Sequence, residues 1–532
     1  MKNNASFSFQ TKMRACFAAL ILVFIFAPLA FRSTPAPYWF HDNFFNTLQI
    51  AENFREKGFP TFDGTVLTND FSLFWGLILS GLSVVISAKN AFFFFLIRSL
   101  IGLSLIASLW LFNRLVNALE FQPTEEISFS TSSFLAALFL YSGFTGSDAT
   151  WAIPCIFTSA LCLLKMLKKP SFFSGIIYGL SISLCALTRF DSLTFFVMAI
   201  LVFYFQFNGK NPISTKQLLK LLPGILIGMI PLFAYADMWQ TKFGSPVPAE
   251  VLSWSLSQGM AVWRILIVLF FEPIRYIFQI PQSVALILFP SILIPLVAYS
   301  SFPWQRQEQT PKDTVFYTLI WFPILYLAMM AGLTFTTLPE YSFYSFAAGA
   351  PTALMFAATK IGTQVSEKEK KQARTVWLVL GCLFMLIALS LSIKPRSAYY
   401  PRLIQAITEF TDRHPGRYAM STGAGITSFA TKANIVRLDG MAEDMTMLKM
   451  IEAQEPLSKV FQNYHIDYYI SFNPQKSETC YSVREPAQNR FGGTNKGMSD
   501  WLCAEPVFEK QATPKIKVVI FKIDESGKAV PH

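Results

Sequence analysis

The chain has 532 residues, 53% of them hydrophobic and only 14% charged, where a soluble domain carries about a quarter charged residues. Phe alone fills 54 positions, which excludes a largely disordered chain, and 26 Gly with seven Cys exclude collagen-like and small disulfide-framework classes. The formal net charge of +11 is gathered in short basic tracts between apolar runs, a pattern that reads as membrane orientation and not as a nucleic-acid footprint.

The first apolar run, 15–31, follows Lys2, Lys12 and Arg14. No clean cleavage site ends it, so it reads as a retained helix with its N-terminus in the cytoplasm. Further runs lie at 91–113, 131–146, 150–165, 172–188, 191–207, 218–236, 281–300, 314–333, 344–360 and 375–393, which makes about eleven spans at about twenty residues each. Two more runs are ambiguous: 71–87 is short, and 261–280 contains Arg264, Glu272, Pro273 and Arg275. Parity decides. If 71–87 crossed the bilayer, the tracts Lys165, Lys168, Lys169 and Lys210, Lys216, Lys220 would fall outside; if it stays at the interface, every large basic tract is cytoplasmic. Both ambiguous runs are therefore placed at the interface. The expected fold is an α-helical polytopic membrane domain, 1–393, with an outer loop at 32–90. An extracytoplasmic α/β domain, 394–532, completes it.

In the tail the expected elements are a helix near 400–412, a strand at 417–420, and a Gly-bearing turn at 423–425 leading to a strand at 434–438. Helices at 443–453 and 456–464 and strands at 466–472 and 516–523 follow. Cys480 and Cys503 are its only cysteines and could pair on the outer side.

No Gly-rich phosphate loop, CxxC pair or HExxH helix is present, and the four His are scattered. The candidates are polar residues at the membrane border. Asp42, in Tyr38-Trp39-Phe40-His41-Asp42-Asn43, is either the N-cap of the helix 43–57 or a desolvated carboxylate with a raised pKa. Glu52 lies on that helix. Asp148 sits in a turn, as a solvated Asx residue or a site residue. Arg189, two residues before Asp191, either snorkels with Asp191 as its partner or grips a lipid phosphate with its fork. Lys242 and Glu250 stand on an outer loop.

Several segments together resemble the integral-membrane GT-C glycosyltransferases, in particular the bacterial terminal arabinofuranosyltransferase and mannosyltransferase-like group. The segments are His41-Asp42-Asn43-Phe44-Phe45, Ile50-Ala51-Glu52-Asn53-Phe54 running to Gly58, and Ser72-Leu73-Phe74-Trp75. Gly146-Ser147-Asp148, Leu187-Thr188-Arg189-Phe190-Asp191 and Lys242-Phe243-Gly244 through Glu250 follow in the same order. In the tail, Gly423-Ala424-Gly425 and Val436-Arg437-Leu438-Asp439-Gly440 add to the likeness. His41 stands where the family has the first Asp of a pair, and Phe190 replaces a Pro.

The resemblance implies an inverting transfer of a monosaccharide from a polyprenyl-phosphate donor to a cell-envelope glycan, glycolipid such as lipopolysaccharide, or protein. The site would be the outer face of a bacterial inner membrane. Asp42 would be the base, and Arg189 with Lys242 would bind the donor phosphate. Asp148, with His41 and Asp191 beside it, would hold or support a divalent cation, Mg or Mn. Glu52 and Glu250 would line the loop that meets donor or acceptor. The rival classes are a flippase for lipid-linked glycan, which calls for polar midplane residues and often internal symmetry, and a non-catalytic assembly scaffold.

Overall fold

Backbone dissolved in lipid finds no water, so apolar runs must close their hydrogen bonds within helices. The computed structural model describes residues 2–30, 36–40, 42–68, 72–143, 146, 148–205, 215–248, 294, 296–297, 310–333, 338–364, 366–393, 400–431, 433–440, 444–477, 479–486, 496–513 and 516–531. The apolar part is built from α1 (Lys2–Ala30), α2 (Asp42–Lys57), α3 (Leu73–Val85), α4 (Ala91–Ala118), α5 (Glu125–Gly143), α6 (Ala149–Lys168) and α7 (Phe172–Thr188). It continues through α8 (Leu193–Phe205), α9 (Thr215–Gly228), α10 (Ile230–Phe243), α11 (Pro311–Leu333), α12 (Leu338–Gln364) and α13 (Glu367–Ile393). Among the described residues four helices, α1, α4, α6 and α13, are long and apolar enough to cross a membrane by length and composition, and α9 with α10 makes a fifth if the bent pair counts as one. The expected run 218–236 is thus not one straight helix: it bends by 52° at Met229, with Pro231 in the first turn of α10. Runs 261–280 and, but for three residues, 281–300 lie outside the described residues.

A buried arginine fixes the relative direction of three helices. Arg98, near the start of α4, donates from Nε to the Phe24 carbonyl of α1 at 2.7 Å and from Nη2 to the Ser392 carbonyl of α13 at 3.3 Å. The end of α1, the start of α4 and the end of α13 therefore share one face. The segment between α1 and α4 makes no net crossing, and α3, 13 residues long, spans only about 20 Å.

The Phe24 carbonyl is available because residue 28 is Pro, which has no N–H to give to the carbonyl four residues back. The same repair recurs. Pro154 in α6 frees the Thr150 carbonyl, and Ser104 of α4 donates to it at 2.9 Å. At the α9–α10 break Ser183 of α7 donates to the Gly228 carbonyl at 3.0 Å. Such cross-helix donors are what tolerate proline and helix breaks in lipid. Packing elsewhere relies on small residues. Gly175 and Gly179 of α7 face Gly224 and Gly228 of α9 so closely that a Cβ at Gly175 would stand 2.7 Å from the Leu221 carbonyl.

The C-terminal part contains α14 (Tyr400–Arg413), α15 (Ala424–Ala430), α16 (Met445–Ala453) and α17 (Leu457–Asn463), with β1 (Arg417–Met420), β2 (Asn434–Arg437) and β3 (Tyr468–Phe472). Its remaining strands are β4 (Gln475–Ser477), β5 (Cys480–Glu485), β6 (Met498–Leu502), β7 (Phe508–Thr513), β8 (Ile516–Ile523) and β9 (Ala529–Val530). The main sheet runs β2-β1-β3-β8-β7 with β9 on β8; β1 is parallel to β2 and β3, and β8 is antiparallel to β3. A second sheet, β4-β5-β6, is antiparallel, and Cys480 is bonded to Cys503 across it. Strands β4 to β7 and helix α15 were not expected from the sequence. In α15 the run Gly423-Ala424-Gly425 reads as a turn, yet Gly423 is only the left-handed N-cap (φ 75°) of a short helix.

The two parts are packed together. Helix α15 lies against α2, and a Cβ at Gly425 would meet the Asp42 carbonyl at 2.5 Å and the Asn46 amide nitrogen at 3.0 Å. In the loop after α2, Asp63 accepts from the N–H groups of Thr65 and Val66, each at 2.8 Å, and pairs with Arg417 at the start of β1. Val66 packs on the apolar core between α16, α17 and the sheet.

Candidate functional site

Two acidic centres stand out, one at helix ends of the apolar part and one where that part meets the C-terminal part. The first is assembled from four helices. Arg189 caps the end of α7 and is 7% exposed. Its Nε and Nη2 donate to the two oxygens of Asp191 at 3.0 and 2.7 Å, and its Nη1 donates to Asp148 at 2.8 Å. Tyr326 of α11 donates its hydroxyl to Asp191 at 2.8 Å, and the guanidinium lies 5.2 Å from the ring centre of Tyr344 in α12. Burial raises the Asp148 carboxyl, as does the Asp191 charge; Arg189 and a hydrogen bond from Ser72 pull it back. The Ser72 hydroxyl is also placed 2.9 Å from the Thr188 carbonyl, and Trp75 donates to the Gly146 carbonyl at 3.1 Å. The start of α3 is thereby stitched to both turns that carry the centre.

The second centre joins α2 to the C-terminal part. Asp42, the first residue of α2, accepts a hydrogen bond from the backbone N–H of Ile426 at 2.9 Å, with Gly425 N–H beside it. It therefore caps another helix, α15, as well as opening its own. Desolvation raises its pKa. Arg437 and the two N–H groups oppose that shift, and Asp439 adds to it. Arg437, at the end of β2, forms a fork with Asp439, with Nε at 2.7 Å and Nη2 at 2.7 Å. Beyond Asp439 stands Glu485, at the end of β5, whose carboxyl accepts from Tyr469 at 2.7 Å and from Ser421.

The sequence-derived residues thus divide. Asp148, Arg189 and Asp191 come together, with Arg189 paired to both acids. Asp42 is the hinge of the other centre. Glu52 is half-exposed on α2, ten residues beyond Asp42; burial raises its pKa and the nearby Arg55 opposes the shift. Ten helical residues put it about 15 Å along the axis from Asp42. Lys242 is exposed in the last turn of α10. His41 and Glu250 lie outside the described residues. Tyr326, Tyr344, Arg437 and Glu485 were missed; only Arg437 lay inside a motif already singled out.

A divalent cation needs several free oxygen or nitrogen ligands. Among the described residues no three His, Cys, Asp or Glu side chains gather into such a set, and both Asp148 and Asp191 are bound to Arg189. Of the residues expected to hold Mg or Mn, Asp148 and Asp191 thus have their carboxylates taken by Arg189, and His41 lies outside the described residues.

The sequence matches no family profile and no curated protein. The backbone is similar to several solved structures. The arabinofuranosyltransferase AftD from Mycobacteria is 11% identical with a TM-score of 0.50, over 97% of this chain and 40% of AftD; the chain spans less than half of AftD's length. The oligosaccharyltransferase from Archaeoglobus fulgidus is 11% identical over 86% of this chain and 69% of its own, with a TM-score of 0.48. ArnT from Cupriavidus metallidurans is 12% identical over 87% and 93%, with a TM-score of 0.47. At these identities the likeness concerns fold alone: the chain is a multi-pass membrane protein of GT-C-like fold.

Proposed function

We propose that the chain is an inverting glycosyltransferase. It takes a monosaccharide from a polyprenyl-phosphate donor and passes it to an envelope glycan, glycolipid or protein acceptor. The observation that carries this reading is Asp42: a desolvated carboxylate at the border of the helical part, held by backbone N–H groups of the C-terminal part. Such a group is poorly solvated and has its pKa raised by burial, which suits a general base. The order of the motifs and the GT-C-like fold support it.

On this reading the acceptor hydroxyl gives its proton to Asp42 while its oxygen bonds to the anomeric carbon. The bond from that carbon to the donor phosphate breaks on the opposite side, and the phosphate leaves with the electron pair. Arg189 balances the leaving charge. Its Nη1 is shared with Asp148, the more exposed acid, at 19% of its side chain against 2% for Asp191. A donor phosphate takes that nitrogen by displacing Asp148, and the exposed Lys242 supplies a second positive charge. The ends of α4, α6 and α11 agree with a periplasmic site: Lys312 at the start of α11 pairs with Glu120 beyond the end of α4, and Lys168 is close to the same carboxylate. These basic groups thus gather opposite the Asp42 face, and the positive-inside rule makes their side cytoplasmic.

The bent α9–α10 pair favours one second reading, since discontinuous helices mark transporters. Proteoliposomes loaded with a radiolabelled lipid-linked sugar and an envelope extract separate the two. Label appearing in the extract, and lost in Asp42→Asn, supports the transferase; movement of intact lipid without transfer supports a flippase.

A further inference from the structure

Glu485 is 7% exposed and its two oxygens accept from Tyr469 and Ser421. Among the described residues no Lys or Arg pairs with it. A buried carboxylate without a cation is costly to keep charged, so its placement calls for a reason. Ser421 supplies one. Its carbonyl accepts from Ala424 N–H at 3.3 Å, which opens α15. Gly425 and Ile426 then present their N–H groups to Asp42. Gly425 is in backbone contact with α2, where a Cβ would meet the Asp42 carbonyl at 2.5 Å. The Asn46 side chain lies at the same contact, but the Asp42 carbonyl and the Asn46 backbone nitrogen also abut Gly425, so a shift at Ser421 is passed on to Asp42 through backbone.

We propose that Glu485 is a positioning residue for Asp42: as a carboxylate it anchors Ser421, and through the 421–426 turn it holds the N–H groups that orient the base. The inference rests on Asp42 as the base. The groups facing Glu485 are Tyr469 from β3, Ser421 from the turn after β1, Asp439 after β2 with Arg437 paired to it, and Met498 opposite on β6. Burial pushes Glu485 up to about 7; the hydroxyls of Ser421 and Tyr469 pull it down and Asp439 pushes it further up. Above that pH both oxygens accept charge-assisted bonds. Below it one oxygen carries a proton and must donate, so one hydroxyl has to reverse and the anchor weakens.

The test is hydrogen exchange of the full chain in nanodiscs, read on peptides covering 421–426 and corrected for intrinsic rates, one pH unit below and one above the Glu485 titration. In openings that break the Ser421 bond while Glu485 stays buried, wild type is expected to exchange about tenfold more slowly on the basic side, the worth of one hydrogen bond to a charged group. Glu485→Gln is expected to lose that pH dependence, and Ser421→Ala to exchange fast at both pH values. Equal wild-type protection on both sides overturns the proposal, as does a pH dependence that survives in Glu485→Gln. If Glu485→Gln does not fold, Ser421→Ala decides alone: protection that still rises with pH overturns it. Full transfer by Asp42→Asn would end the base reading and leave the exchange result standing, so the two failures are distinguishable.

Discussion

The two acidic centres differ in how their charge is met. Asp148 and Asp191 share one guanidinium, and Tyr326 completes the ring of bonds. Asp42 and Glu485 meet mostly backbone N–H and hydroxyl groups, with the nearby guanidinium of Arg437 turned to Asp439. The first arrangement ties four helices together as a frame around Arg189, whose Nη1, shared with the more exposed Asp148, is the contact proposed for the donor phosphate. The second leaves its protons exchangeable, which chemistry requires. In this chain the ion-paired centre thus serves as a frame that also presents a positive charge, and the carboxylates without such a pair are the groups whose protons can exchange.

The largest effect should come from the second centre. Asp42→Asn keeps the size and both N–H contacts but cannot accept a proton as a carboxylate does. Transfer in proteoliposomes should fall by about 10²–10⁴-fold with the melting temperature nearly unchanged. Retention of full transfer would remove Asp42 from the mechanism. Arg189→Met tests the contrast from the other side. It strands Asp191 and Asp148 in a buried place, and the loss should be about 3–5 kcal/mol of stability, read by thermal unfolding in detergent. A variant that melts like wild type would show that the frame lies elsewhere.

Much of the first centre was legible in the sequence. Asp148, Arg189 and Asp191 stand at ends of apolar runs, where a charge is conspicuous, and parity placed them on one side with Asp42. Arg98 joins the end of α1, the start of α4 and the end of α13 at its guanidinium, which agrees with the segment between α1 and α4 making no net crossing. Tyr326 and Tyr344 were not legible, since an aromatic inside an apolar run looks like any core residue. Nor was Glu485, which lies in a tail of ordinary composition; its partners Ser421 and Tyr469 are 64 and 16 residues away. The short strands β4 to β7 were missed because Ser, Lys, Gln and Glu interrupt their alternation. The bend at Met229 had a local signal in Pro231 that an apolar count does not register.

Glu485 also predicts how stability varies with pH. Its folded pKa, about 7, exceeds the usual carboxylate value of about 4.3. The folded state therefore binds the proton more tightly. That contribution is complete at pH below the ordinary carboxylate range and is lost as pH rises to about 7, a change on the order of 3 kcal/mol. Glu485→Gln should flatten this fall when melting temperature is followed against pH. An unchanged slope would mean that the group is not protonated in the fold.

A smaller effect of opposite sign sits at the same interface. Burial pushes the Asp63 carboxyl up, but Thr65, Val66 and Arg417 together hold it below the usual range. Its stabilisation is present above the ordinary carboxylate pKa and is lost as pH falls through the lowered value. Asp63→Asn should cost about 2 kcal/mol near neutral pH, the worth of a hydrogen bond to a charged group, and less in acid, where the wild-type bond is already failing. Because Asp63 ties the loop after α2 to β1, and Asp42 opens that same helix, the loss should loosen the second centre. The first centre should be spared. Exchange at 421–426 should therefore rise in Asp63→Asn while exchange around Arg189 stays as in wild type. Equal loosening of both would mean that the two centres share one cooperative unit, and the contrast between a fixed frame and a movable site would fail.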